Sequence, residues 1–234
     1  MERAVEPELL DQLSPSDPKA IHSRRDLRLI NYWMGNGSHI ARQLQRFAIP
    51  PTKILEIGSG DGELALRLAK KFAPKWNSKV CLTLLDMEPV VTAETVARIE
   101  ELGWEVDILK ADLRVWTEQP ASQQYDLIFA NLVMHHFTDS ELTKFFRSLS
   151  RRSGVFVACD PRRWKISLLS LRLLWLIGCN SVTRHDAKAS IRAGFIGKEL
   201  SRLWPASDFE LRESDPGFAS HLFVAAKKGV LIRV

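Results

Sequence analysis

Between residues 53 and 62 the chain reads KILEIGSGDG, an apolar run ending in three glycines at every second position: Gly58, Gly60 and Gly62. Glycine has no Cβ, so such a cluster lets backbone come close to a ligand. A loop that cradles nucleotide phosphates needs GxxxxGK followed by Ser or Thr, and that continuation is missing here. A dinucleotide fingerprint wants GxGxxG, whereas this chain has GxGxG preceded by Glu56. Taken alone, the glycines also fit a plain tight turn between strand and helix. Three further polar residues narrow the choice. Asp86 ends the run TLLDME, Asp112 ends LKADL, and Asn131 stands in FANLVMHH. Asp86 is a two-pronged acceptor suited to ribose hydroxyls, an NAD ribose included. Each acid alone fits an ordinary helix cap. Four polar groups at successive run ends describe one ligand site.

Such convergence needs elements that bring the run ends to one edge. Strand-like runs occur at 53–57, 80–85, 106–109, 125–130 and 154–159, with helix-like segments at 62–72, 89–102 and 139–150 between them. This alternation predicts a parallel α/β sheet covered on both faces, whose ligands sit beyond the carboxyl ends of the strands. Residues 1–20 carry Pro7, Pro15 and Pro18 and read as a loose lead-in; 22–47 have helical spacing broken near Gly35 and Gly37. After residue 160 an apolar run, ISLLSLRLLWLIG, precedes the polar TRHDAKAS and a helix-like stretch at 187–203. The end, FELRESDPGFASHLFVAAKK, predicts two strands joined at Asp215-Pro216-Gly217. The expected organisation is an N-terminal helical cap at 1–48, then one domain at 49–234 with a helical insertion at about 162–204.

Composition sets outer limits. A chain of 234 residues, 45% hydrophobic, buries a full core. Lys and Arg number 33 against 28 Asp and Glu, and a net charge of +5 is a mild excess that neither demands nor excludes nucleic acid. Cys81, Cys159 and Cys179 lie far apart without a CxxC pair, so buried thiols in a reducing compartment are expected, with no metal. The acidic start MERAVEPELLDQL lacks a secretory pattern, and a cytoplasmic location is expected.

Together EIGSGDG, LLDMEP, KADL and YDLIFANLVMHHF, spread over about residues 50–160, resemble the successive motifs of class I S-adenosylmethionine-dependent methyltransferases. The resemblance implies a Rossmann-like, seven-stranded, mostly parallel sheet with helices on both faces and an antiparallel C-terminal strand. It implies S-adenosylmethionine as cofactor, with Glu56 and the Gly58-Ser59-Gly60 backbone at the methionine part and Gly62 in the same loop. Asp86 would hold the ribose and Met87 the adenine face. Asp112 and Leu113 would meet the adenine edge, and Asn131 the methionine side.

The acceptor is less defined. Enzymes that methylate amino nitrogens of DNA or protein glutamine commonly carry an (N/D/S)-P-P-(Y/F/W) element after the fourth strand. Here that position reads NLVM, which disfavours base methylation. A small hydrophobic or aromatic acceptor methylated at oxygen is the leading expectation, with carbon methylation of a quinone-like ring beside it. RNA or protein methylation, or an inactive cofactor-binding regulator, are the alternatives. For a hydroxyl acceptor a base helps, and His135, His136 and His185 are the candidates near the rim. Tyr32, Trp33, Trp164 and Trp175 are candidate acceptor contacts, although core packing is the plainer role for Tyr32 and Trp33. The run Ile166–Ile177, interrupted by Arg172, falls short of the roughly 20 apolar residues that span a bilayer. It would be buried, cover a greasy substrate, or lie on a membrane surface. Arg162, Arg163 and Lys165 before it would suit anionic headgroups, or form a solvated basic loop.

Overall fold

The computed structural model describes residues 1–14, 16–167, 171, 178–205 and 208–232. Seven strands form one sheet: β1 (Lys53–Ile57), β2 (Val80–Asp86), β3 (Trp104–Lys110), β4 (Tyr125–Asn131), β5 (Ser153–Pro161), β6 (Phe209–Ser214) and β7 (Ser220–Lys227). Their order is β3-β2-β1-β4-β5-β7-β6. β1 to β5 pair in parallel, and β7 runs antiparallel to both β5 and β6. The chain steps outward from β1 to β3, then returns to lay β4 on the other side of β1. That reversal opens a crevice at the carboxyl ends of β1 and β4, where α/β folds bind ligands.

Both sheet faces are covered, which is why LIFA (127–130) and VFVA (155–158) read as unbroken apolar runs. On one face Ile54, Leu82, Leu84, Val155 and Val157 pack with Ile40 and Leu44 of α2 (Asn36–Leu44) and with Leu66 and Phe72 of α3 (Glu63–Phe72). On the other, Leu55, Ile57, Ile128 and Phe156 pack against Leu142 and Phe146 of α6 (Asp139–Arg152). Phe146 meets the rings of Phe156, Trp204 and Phe223 at centroid distances of 5.7, 5.2 and 5.7 Å. Each such fully buried side chain contributes about 1.5–3 kcal/mol.

The helix starts have chemical causes. Asp17 caps α1 (Pro18–Met34), whose first residue is proline, and Gly35 at φ 71° ends it before α2 begins. Thr138 and Glu141 form a reciprocal capping box on α6. α4 (Ala93–Glu100) is capped by Thr92, and α5 (Leu113–Glu118) by Asp112.

Several expectations need correction. The helix expected from 187 starts earlier and takes in the polar TRHDAKAS: Asn180 caps α7 (Ser181–Ala193), which contains it. The expected helix at 187–203 is two, α7 and α8 (Glu199–Leu203). The break falls at Gly194, where an added Cβ would lie 2.1 Å from the Pro161 carbonyl oxygen, so helix and strand end touch there. Residues 1–13 are docked, not loose, and Cys81 is exposed near the start of β2, opposite Glu105 of β3. Most of the run Ile166–Ile177, with Trp175, lies outside the described residues. No described helix is long and apolar enough to cross a membrane.

Candidate active site

The loop after β1 carries Gly58, Gly60 and Gly62 at φ 69°, 53° and 72°, the left-handed region that glycine enters without strain. An added Cβ on Gly58 would stand 2.3 Å from Val133 Cγ2, whereas one on Gly60 would meet nothing within 4 Å. Gly58 is therefore fixed by packing against the turn after β4, and Gly60 faces open space. The Gly60 N–H donates to Asp86 Oδ2 at 2.8 Å, and the Glu88 N–H to Asp86 Oδ1 at 2.9 Å. These bonds hold the carboxylate beside the loop and leave lone pairs for a further ligand. Asp112 accepts from the Arg114 N–H at 2.8 Å as the cap of α5, with buried Leu113 next to it. Met87 is exposed at the same rim.

Three buried atoms at this rim find no hydrogen-bond partner among the described residues: Glu56 Oε2, Ser59 Oγ and Asn131 Oδ1. Leaving a buried polar group unmet costs about 1–3 kcal/mol. Burial, then the charges of Asp61 and Asp86, push the Glu56 carboxyl well above the usual carboxylate range. Oxygen acceptors and clustered acids suit a ligand bearing hydroxyls and a cationic amino group, and repel a diphosphate. The residues thus fit S-adenosylmethionine.

A second group lies in the short turn Met134–His136 after β4. His135 is buried, with Nδ1 2.9 Å from Asp160 Oδ1 and Nε2 3.6 Å from Glu8 Oε1. Burial opposes its charge, but the bond to Asp160 and the negative charges of Asp160 and Glu8 outweigh that and raise the imidazole to about 9. Burial would raise the Glu8 carboxyl, yet His135, His136 and Ser190 bring it down to about 2. Burial and the neighbouring charge of His135 lower His136 to about 4. Sequence reasoning missed Glu8 and Asp160. Asp160 stands near the end of β5 and answers to the logic that found Asp86. Glu8 left no signal in a polar lead-in.

The N-terminal segment is held by directional contacts. Arg3 donates to the carbonyls of Phe137 at 2.6 Å and Ala193 at 2.8 Å, and to Asp139 at 2.7 Å. The N–H groups of Leu9 and Leu10 donate to the buried carboxylate of Asp186 at 2.8 and 2.9 Å. His185, adjacent on α7 and half-exposed, has Nδ1 3.0 Å from Asp186 Oδ1.

Core packing for Tyr32 and Trp33 is overturned: they are 71% and 80% exposed. With Asn31, Gly35 and Arg67 they border an open hollow of about 440 Å³. Arg28, one turn before Tyr32, reaches Asp61 of the glycine loop at 3.3 Å, tying α1 to that loop. The basic triplet is not a free loop. Arg162 pairs with Asp215 at 3.1 Å and lies 4.5 Å from the Trp164 ring; buried Arg163 pairs with Glu199, leaving Lys165 exposed.

Residues 54–153 match the family model of a methyltransferase domain. No curated protein sequence matches the chain. Among solved structures, the plantazolicin methyltransferase BpumL in complex with SAH is 15% identical, covers 94% of each chain and gives a TM-score of 0.64. The plantazolicin methyltransferase BamL, in complex with a triazolic desmethylPZN analog and SAH, is 15% identical over 92% of this chain and 93% of its own, with a TM-score of 0.64. The pyocyanin biosynthetic protein PhzM is 15% identical over 94% of this chain and 62% of its own, with a TM-score of 0.63. At such identities the likeness is one of fold. The matched domain covers the glycine loop, Asp86, Asp112 and Asn131 in their expected order. Residues 54–153 thus match a methyltransferase domain, and the whole chain shares its fold with methyltransferases solved in complex with SAH.

Proposed function

We propose that the protein methylates a small hydrophobic or aromatic acceptor at oxygen. The observation that carries this reading is the cover over the rim. Residues 1–13, α1 and α7 close on one another and on the turn after β4 through Arg3, Glu8 and Asp186. A site roofed by its own chain suits a compact acceptor better than a polymer, and two of the three basic residues before the 166–177 run are paired internally. The solved complex of BamL holds a triazolic desmethylPZN analog, which supports an acceptor that carries aromatic rings. In this reading residues 1–48 form the cap, anchored through Ile40 and Leu44, and about 162–204 the insertion, in a cytoplasmic protein.

Glu56, Ser59 and Asn131 would receive the cofactor's amino-acid end, and the Gly58–Gly62 backbone would lie along it. Asp86 would accept its ribose hydroxyls, with Met87, Asp112 and Leu113 about the adenine. When bound, the cofactor supplies an electrophilic methyl on a sulfonium. The chain's part is alignment, which can account for ~7–11 kcal/mol of a barrier. A phenol of pKa ~10 is mostly protonated at neutral pH, so a base adds typically ~10²–10⁴-fold. Of the three histidines, His185 fits best. Its Nδ1–H donating to Asp186 leaves Nε2 with a free lone pair, whereas both ring nitrogens of His135 face carboxylates.

Methyl transfer should be measured against a panel of phenols, azoles and quinone-like rings. We expect turnover of hydroxyl acceptors, with kcat about 10²-fold lower in His185→Gln and S-adenosylhomocysteine affinity unchanged. Turnover confined to RNA or protein, or full activity of His185→Gln on every hydroxyl acceptor, would overturn this reading.

A further inference from the structure

We infer that Glu8, His135 and His136 form a binding site for one divalent transition-metal ion, zinc by preference. One ligand atom from each of the three lies within 4.8 Å of the other two. The separation of His135 Nε2 from Glu8 Oε1 is 3.6 Å, too long for a direct hydrogen bond of about 2.7–3.2 Å. Two ligands each about 2.0–2.1 Å from a tetrahedral ion stand ~3.4 Å apart. The gap therefore has the width of two groups sharing an ion.

The far side of the His135 ring is held as metal-binding imidazoles usually are. His135 Nδ1 is 2.9 Å from Asp160 Oδ1, which leaves Nε2 directed at Glu8. The His136 backbone N–H donates to the Val133 carbonyl at 3.2 Å, which fixes that residue in the turn. The two rings lie with centroids 4.2 Å apart. Leu132, at φ 58°, is the sole non-glycine residue in the left-handed region among those described, and such strain concentrates at functional sites. The charges agree too. Glu8 and Asp160 bring two buried carboxylates to one imidazole, and Asp160 Oδ2 has no partner among the described residues.

Glu8 is placed for this role by the chain around it. Ser190 of α7 hydrogen-bonds its carboxylate, and Asp186 fixes the two residues that follow it. Two imidazoles and one carboxylate suit zinc, and three protein ligands leave a tetrahedral ion one position open for water or another oxygen. The ion would join the N-terminal segment to the turn that carries Val133, which packs on Gly58. The inference does not depend on the identity of the acceptor.

The test uses the full chain, stripped with EDTA, reloaded with Zn²⁺ or Co²⁺ at pH 8 and desalted. We expect one equivalent of metal per chain by elemental analysis, and the visible absorption of four-coordinate cobalt. Glu8→Gln and His136→Gln should lose both, Asp160→Asn should bind about 10–100-fold more weakly, and exposed His22→Gln should behave as wild type. Glu8→Gln keeps the side chain's size and its bond to Ser190, so it decides the matter if His136→Gln fails to fold. Wild type that retains no metal and shows no cobalt spectrum, or Glu8→Gln that retains a full equivalent, would overturn the inference. Neither readout requires methyl transfer, so failure here is separable from failure of the acceptor reading.

Discussion

A carboxyl group with nowhere to send its charge is the most informative single residue in the rim. Glu56 sits at 2% exposure with one oxygen unpartnered, and burial with Asp61 and Asp86 raises its pKa well above the ordinary value. In the free protein the protonated form is therefore favoured. An ammonium group placed against Glu56 favours the ionised form, so cofactor binding should expel a proton. Affinity for S-adenosylhomocysteine should then rise with pH up to the free-state pKa and level off above it. Calorimetry at pH 6 in buffers of different ionisation enthalpy should register proton release. Glu56→Gln should abolish that release and weaken binding by about 10–150-fold, the worth of a hydrogen bond to a charged group. Proton uptake, or equal affinity in the variant, would count against Glu56 as the ammonium acceptor. At this scale the sequence was most legible where a polar residue interrupts an apolar run, as at Glu56, Asp86 and Asn131. It was least legible for Glu8, whose partners lie more than a hundred residues away.

Among the elements, β1 to β5, α3 and α6 could be read directly, because two-sided burial makes the strands continuous apolar runs and Thr138-x-x-Glu141 marks a helix start. α5 escaped notice because it is short, although its cap, Asp112, was in view as a ligand. The division between α7 and α8 was hidden for another reason. It depends on Gly194 meeting the Pro161 carbonyl, a long-range contact that no local pattern encodes. The C-terminal hairpin was legible from its turn, but not its buried charge. His221 has Nε2 2.7 Å from Glu213 and Nδ1 2.7 Å from Asp215, with its side chain fully buried. Burial lowers its pKa, yet bonding to Glu213 and Asp215 outweighs this and raises it. A pKa raised on folding contributes stability that is complete below the unfolded value of about 6.5. That contribution disappears as pH rises through the folded value. The loss of urea stability in His221→Gln should therefore be greatest near pH 6 and shrink as pH rises. A difference that is flat or grows with pH would show that the imidazole is not held charged by this hairpin.

For the whole molecule, the parallel α/β sheet followed from alternation, and the antiparallel last strand from the resemblance to the methyltransferases, which the C-terminal pair of strands suited. The placement of residues 1–13 did not. That segment mixes charged and apolar residues without a regular period and is held by directional polar contacts, which no local pattern reveals. Arg3 is its anchor: its side chain is 12% exposed, donates to the Phe137 and Ala193 carbonyls and to Asp139, and lies 4.5 Å from the Phe195 ring. Arg3→Ala removes the donors but leaves both carbonyls in reach of water once the segment lifts. The cost should therefore stay near the ~1.5–3 kcal/mol of charged hydrogen bonds. For a chain of this size each kcal/mol moves Tm by roughly 2–4 °C, so the main transition should fall by only several degrees. Local opening should change much more. Limited proteolysis within residues 1–13 should accelerate about 10–100-fold, the population shift that such an energy gives. S-adenosylhomocysteine affinity should hold, because Arg3 bonds to none of the residues placed around the cofactor, only to the His135 carbonyl beside them, whereas transfer to the acceptor should weaken as the cover opens. Cleavage at the wild-type rate would mean that the segment's order does not depend on Arg3, and that Glu8 and Asp186 hold it alone.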